Sequence, residues 1–379
     1  MSPFQACHQY GQSIWLDFIR RDLLLSGGLQ ALIDEGIRGL TSNPAIFEKA
    51  IAGSADYDTA LAARVRAGET DAACLFEHLA IEDIRKAADI FMPLYRDSAA
   101  RDGYVSLEVS PHIALDAEAT IADARRLWKA VDRPNLMIKV PGTAAGAIAV
   151  RQLIGEGINV NVTLLFSRPA YLAVAEAYLD GLETYVAAGG DPATVASVAS
   201  FFISRIDSAM DAEIDARIAA TNDAKLHAQL AALKGGVAIA NAKLAYRDYQ
   251  QLCLTPRWQA LVQRGAHPQR LLWASTGTKN AAYRDVLYVE QLIGADTVNT
   301  IPPATMDAFR DHGQVTATLT DSVDAADAAL GQVEALGLPL DAITEQLVAD
   351  GVKLFVDAHD QLLAAVARKR DVLNAAAAS

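Results

Sequence analysis

Short apolar runs recur along the chain, and longer stretches with helical spacing separate them. Eight runs read as strands, at 13–19, 38–42, 104–110, 135–141, 157–166, 195–204, 270–275 and 296–302. Helix punctuation lies between them. The segment 26–36 offers Ser26 as an N-cap and Gly36 as a terminal glycine, and 143–154 stops before Gly155. Strict alternation of strand and helix predicts parallel strands joined by crossover helices. Eight such units, with no GxGxxG after the first, predict a closed (β/α)8 TIM barrel and not an open doubly wound sheet. Three segments exceed a minimal barrel: a helical pair over 71–98, an insertion over about 205–235, and a C-terminal helical extension over about 313–379. The extension reads as helices over 322–336 and 341–369, followed by an Ala-rich end at 375–379. No repeat or long linker divides the chain, so 1–379 is expected to be a single decorated barrel.

Polar residues fall in phase inside these runs. Asn159, Asn161 and Thr163 alternate with Ile158, Val160, Val162 and Leu164. By the same phase Met137 and Lys139, then Ser106, Glu108 and Ser110, then Trp15 and Asp17, share the face opposite their apolar neighbours. In a half-exposed antiparallel sheet such alternation only faces water. In a barrel these side chains point inward, and four strands then place polar or ionisable groups near their C-terminal ends, where barrel enzymes keep their active sites. An unpaired buried lysine is too costly to serve as filler.

Composition adjusts this picture only slightly. The 379 residues carry a formal charge of -13, which disfavours broad binding to nucleic acid or anionic membranes. An anionic small molecule is still admissible, because a few local donors suffice to grip a phosphate. Cys7, Cys74 and Cys253 are odd in number and widely spaced, which supports neither a disulfide framework nor a zinc site and suits a cytoplasmic setting. No signal peptide or membrane span is expected. Walker A, HExxH and GxSxG patterns are absent, and the seven histidines are scattered without ligand spacing, so no metal or organic cofactor is expected. The sequence leaves a homo-oligomer open.

A lysine enclosed in an apolar barrel loses ammonium hydration, which favours the free amine, and neighbouring carboxylates oppose that trend. A free amine can attack a ketone, giving a Schiff base that acts as an electron sink while carboxylates shuttle protons. Lys139, Glu108 and Asp17 supply this set.

GLTSNPAIF (39–47), IKVPGT (138–143) and NVTLLFS (161–167) resemble the signature segments of transaldolases, and SIWLDFIRR (13–21) and SLEVS (106–110) fall where that family keeps its other strand residues. The resemblance runs from the first strand to the eighth, and the tail is similar to that of the family's longer subgroup. It implies that Lys139 forms the Schiff base and that Asp17 is the acid/base for the C3–C4 bond. Glu108 would act with Thr163 through a bound water as the Schiff base forms and hydrolyses. Asn43 and Asn161 would hold substrate hydroxyls, with Ser200 and Phe202 lining the pocket. Asn43 before Pro44 also fits an ordinary helix N-cap, and both roles are compatible. For phosphate, Arg205, Ser275 and Lys279 are the candidates. Better-known members carry an arginine after the seventh strand, whereas the loop 274–280 here holds Lys279, a point charge without a bidentate fork.

The implied reaction moves a dihydroxyacetone unit from sedoheptulose 7-phosphate to glyceraldehyde 3-phosphate, giving erythrose 4-phosphate and fructose 6-phosphate, as in the pentose phosphate route. One rival is a fructose 6-phosphate aldolase-type lyase using the same lysine. Such relatives tend to carry Gln and Tyr where this chain has Glu108 and Phe202. The other rival is a non-catalytic barrel that binds sugar phosphate or a protein.

Overall fold

A computed structural model describes residues 1–378, with side chains to Ala375; Ser379 lies outside the described residues. Eight strands close into one barrel in sequence order, every neighbouring pair parallel. They are β1 (Gln12–Asp17), β2 (Gly39–Thr41), β3 (Tyr104–Glu108), β4 (Leu136–Pro141), β5 (Val160–Leu165), β6 (Ser197–Phe202), β7 (Arg270–Ala274) and β8 (Thr297–Ile301). Seven lie within the eight apolar runs, and β1 begins one residue ahead of its run, at Gln12. The runs are apolar because helices cover one face of each strand and the opposite strands cover the other.

Register sets the site. Glu108 on β3 stands beside Lys139 on β4, and Lys139 beside Asn161 on β5, so all three share the interior face. Tight helix returns hold these strands. Thr143 caps the helix Ala144–Gly155 through its hydroxyl, which accepts from the Gly146 amide at 3.0 Å. A Cβ on Gly146 would lie 1.8 Å from the Pro141 carbonyl oxygen, so only glycine lets this helix start so close to the end of β4.

Three local expectations change. Ser26 ends the short helix Arg21–Leu25, and the next helix, Gly28–Glu35, starts from the left-handed Gly27 with no side-chain cap. The expected pair over 71–98 is one helix, Ala72–Asp97, capped by Asp71 and continuous through Pro93. The β5 alternation stops at Leu164, which adopts a left-handed backbone (φ 62°) where the register with β6 shifts. This turn seats Leu164 against Gly351 of the C-terminal helix, where a Cβ on the glycine would come within 2.8 Å of Leu164 Cδ2.

Between β6 and β7 lie the helices Ser204–Ala220 and Ala224–Ala231, followed by Val237–Cys253 and Pro256–Val262. After β8 come Pro303–His312, Val323–Ala335 and the long helix Leu340–Ala378. The last runs across the barrel's C-terminal end and packs chiefly on helix Pro44–Ala52, and also on Ala72–Asp97 and Ser204–Ala220. Lys369 near its end donates to the Ser54 carbonyl and to Asp58. No described helix is long and apolar enough to cross a membrane.

The opposite, N-terminal end of the barrel is closed by a buried ionic network. Asp102, fully buried, takes Arg38 on one side and Arg270 on the other, and Arg270 also donates to Ser13 Oγ at 2.9 Å. Burial pushes the Asp102 carboxyl up, but the two guanidiniums outweigh it and hold the group below the usual aspartate range.

Candidate active site

A cavity of about 510 Å³ opens at the C-terminal end of the strands. Lys139, Asp17, Thr163, Asn43, Ser200, Phe202, Arg205, Ser275 and Lys279 all line it. Lys139 is buried, and its Nζ donates to the Ser42 carbonyl at 3.0 Å. That bond ties the lysine of β4 to the segment that also carries Asn43. Glu108 approaches the amine from β3 at 3.7 Å, an ion contact longer than a hydrogen bond. Its two carboxyl oxygens and the Thr163 hydroxyl are buried without a hydrogen-bond partner.

The two carboxyls are tuned alike. Burial pushes Glu108 up to about 7, with Lys139 pulling the other way. Asp17 is also raised by burial, against opposing pulls from Lys139, its Thr41 bond and Lys279. Thr41 Oγ1 donates to Asp17 Oδ1 at 2.7 Å and stands 2.7 Å from Thr300 Oγ1, which fixes the carboxyl's orientation. Glu108, at about 7, can exchange protons with the neighbouring amine near neutral pH, and Asp17 holds its proton more tightly than an ordinary aspartate.

Asn161 lies a layer deeper and does not line the cavity. Its amide donates to Ser106 Oγ at 3.1 Å and accepts from Ser200 Oγ at 2.7 Å, so Ser200 connects it to the cavity wall. Asn43 does cap its helix, accepting from the Ile46 amide at 3.0 Å, while still facing the cavity.

At the outer end, the Arg205 guanidinium lies 5.4 Å from the Phe202 ring centroid and has no hydrogen bond or ion pair among the described residues. Burial lowers its pKa from the ordinary arginine value. Ser275, with a left-handed backbone (φ 56°), sits 3.0 Å from the Ser204 hydroxyl. The loop carrying Ser275 and Lys279 is braced from below. Tyr288 and Tyr283 donate to Asp207 and Asp211 of the helix that follows β6. Arg205 and Lys279 both line this end of the cavity, and neither has a hydrogen bond or ion pair among the described residues.

Sequence reasoning missed Thr41, Thr300, Lys49 and Phe355. Thr41 shares the inward phase of its strand, a signal that was present. Lys49 lines the cavity from the exposed side of helix Pro44–Ala52. Phe355 comes from the C-terminal helix, and no local pattern announces it.

A second cavity, of about 550 Å³, reaches Glu108 from the other side, between helices Ala72–Asp97 and Ala117–Val131. Its walls are mainly apolar and do not include Lys139.

The Transaldolase/Fructose-6-phosphate aldolase family profile matches residues 14–366. A protein named Transaldolase from Trichodesmium erythraeum is 48% identical over 362 residues, 95% of each chain. Transaldolase 2 from Nostoc punctiforme is 50% identical over 370 residues, 97% of each chain. Transaldolase from Thermobifida fusca is 46% identical over 373 residues, 97% of this chain and 98% of its own. With Lys139, Asp17 and Glu108 converging at the mouth of a closed parallel barrel and similarity running through nearly the whole chain, the protein belongs to the transaldolase/fructose-6-phosphate aldolase family.

Proposed function

We propose that this chain is a transaldolase, transferring a dihydroxyacetone unit from sedoheptulose 7-phosphate to glyceraldehyde 3-phosphate, or the reverse, without a cofactor. The observation that carries the reading is a buried Lys139 amine within 3.7 Å of Glu108, in a cavity it shares with Asp17. Lys139 Nζ attacks the ketose C2 carbonyl. Glu108, with Thr163 through a bound water, passes protons so that the carbinolamine loses water and becomes the iminium. Asp17 removes the C4 hydroxyl proton, the C3–C4 bond breaks, and its electrons enter the iminium to form an enamine. The aldehyde product leaves. The enamine then attacks the acceptor aldehyde, Asp17 returns its proton to the new alkoxide, and water releases the ketose.

Asn43 and Ser200 bind hydroxyls and Asn161 orients Ser200, while Phe202 walls the pocket. Arg205, Ser275 and Lys279 take the phosphate. The unpartnered Arg205 supports that assignment, since a guanidinium in a cleft suits a phosphate ligand. The three free cysteines suit a reducing cytoplasm, where the pentose phosphate route would supply these sugar phosphates.

Acceptor dependence tests the reading. Fructose 6-phosphate with erythrose 4-phosphate should give sedoheptulose 7-phosphate, and without an acceptor little dihydroxyacetone should appear. Rapid release of free dihydroxyacetone would make the chain a lyase.

A further inference from the structure

The fold brings together two histidines that the sequence keeps far apart. His112 lies in the 3-10 turn Pro111–Ile113 that follows β3, four residues beyond Glu108. His359 and Asp360 lie on the C-terminal helix, where it crosses that turn. His112 Nε2 is 2.8 Å from Asp360 Oδ1, and the His112 and His359 rings are 5.5 Å apart. One donor atom from each of the three residues lies within 4.8 Å of the others. His359 Nδ1 is buried without any hydrogen-bond partner, while His112 and Asp360 are roughly half exposed and open to a cation from solvent.

We propose that His112, His359 and Asp360 form a binding site for a divalent transition metal of zinc type. Two imidazoles and one carboxylate are a common donor set for such ions, with a fourth position left for water. Tetrahedral bonds of about 2.0–2.1 Å set donors about 3.3 Å apart, so His112 and Asp360 need to separate by only about 0.5 Å. His359 closes by no more than about 1.5 Å from the other side. The exposed His112–Asp360 contact alone contributes too little to fix a long helix. A metal would instead pin that helix to the loop after β3. His359 stands one helical turn beyond Phe355, which lines the substrate cavity, so the pin would also hold Phe355 over the site.

The test is calorimetric titration of the chelator-stripped full-length protein with Zn²⁺, alongside His112→Ala and Asp360→Ala, both surface changes that leave the barrel intact. The site predicts one saturable equivalent in the native protein and a rise in its thermal midpoint with Zn²⁺. Each variant should lose more than the roughly 10–100-fold in affinity that a mere supporting group contributes. Cys74→Ser, which removes the exposed thiol, should bind as the native protein does. Absence of saturable binding, unchanged binding in His112→Ala, or loss of binding in Cys74→Ser would each overturn the proposal.

Discussion

Within the site, Asp17 and Glu108 are both buried acids beside one amine, yet the proposed steps give them separate tasks. Asp17→Asn keeps Lys139 and Glu108 in place, so the Schiff base should still form, while turnover falls by roughly 10²–10⁴-fold. Borohydride trapping and a transfer assay on the same preparation would separate the two steps; loss of trapping together with turnover would contradict the division. Glu108 also predicts a pH signature. Its carboxyl sits at about 7 in the folded protein against an ordinary 4.5, so the folded state holds the proton more tightly. Its contribution to stability is therefore complete below about pH 4.5 and falls as pH rises toward about 7. Glu108→Gln cannot ionise. Its unfolding free energy in urea relative to the native protein should rise across that window, by on the order of 1 kcal/mol or more, and then level off. Parallel pH curves would contradict the burial argument. Most of these residues were legible from strand phase and motif. The depth of Asn161 was not, because phase gives the face a residue points to but not its layer. Nor was Lys49, an exposed helical lysine with nothing local to set it apart from a solvated side chain.

Single elements matter through the precision with which they end. All eight strands were readable as apolar runs because both faces of a barrel strand are dry. Their ends were less readable, since the β5 turn at Leu164 answers to Gly351 far along the chain. The segment expected to hold a helical pair is one helix, Ala72–Asp97, continuous through Pro93. The junction after β4 gives the sharpest test. In Gly146→Ala the added methyl meets the Pro141 carbonyl at 1.8 Å, and a backbone oxygen has little room to move. We expect a loss of about 1–3 kcal/mol by denaturant unfolding. Transfer per folded molecule should fall as well, because the displaced segment ends the strand that carries Lys139. Unchanged stability would show that the helix start can shift freely.

Taken whole, the barrel separates stability from chemistry by its two ends. The N-terminal end is locked by Asp102 between Arg38 and Arg270, and no proposed substrate contact reaches it. Asp102→Asn leaves two guanidiniums without their shared counter-charge and should cost about 3–5 kcal/mol, read as a lower urea midpoint with turnover per folded molecule unchanged. With the Asp102 carboxyl held below its ordinary value, this stabilisation is present above that ordinary value and is lost as pH falls through the lowered one. The C-terminal end carries the proposed reactive groups and is crossed by a helix whose Phe355 enters the cavity. The sequence revealed that the tail is helical, but not where it lies, because docking of distant elements leaves no local period. Against the charge of -13, Lys139, Arg205 and Lys279, all singled out in the sequence, line one cavity at the barrel mouth. Everything in this arrangement turns on one amine. Incubation with fructose 6-phosphate, reduction with borohydride and peptide mapping by mass spectrometry should find the reduced ketose adduct on Lys139 and should find none in Lys139→Ala. An adduct on any other lysine, or none on the native chain, would contradict the mechanism.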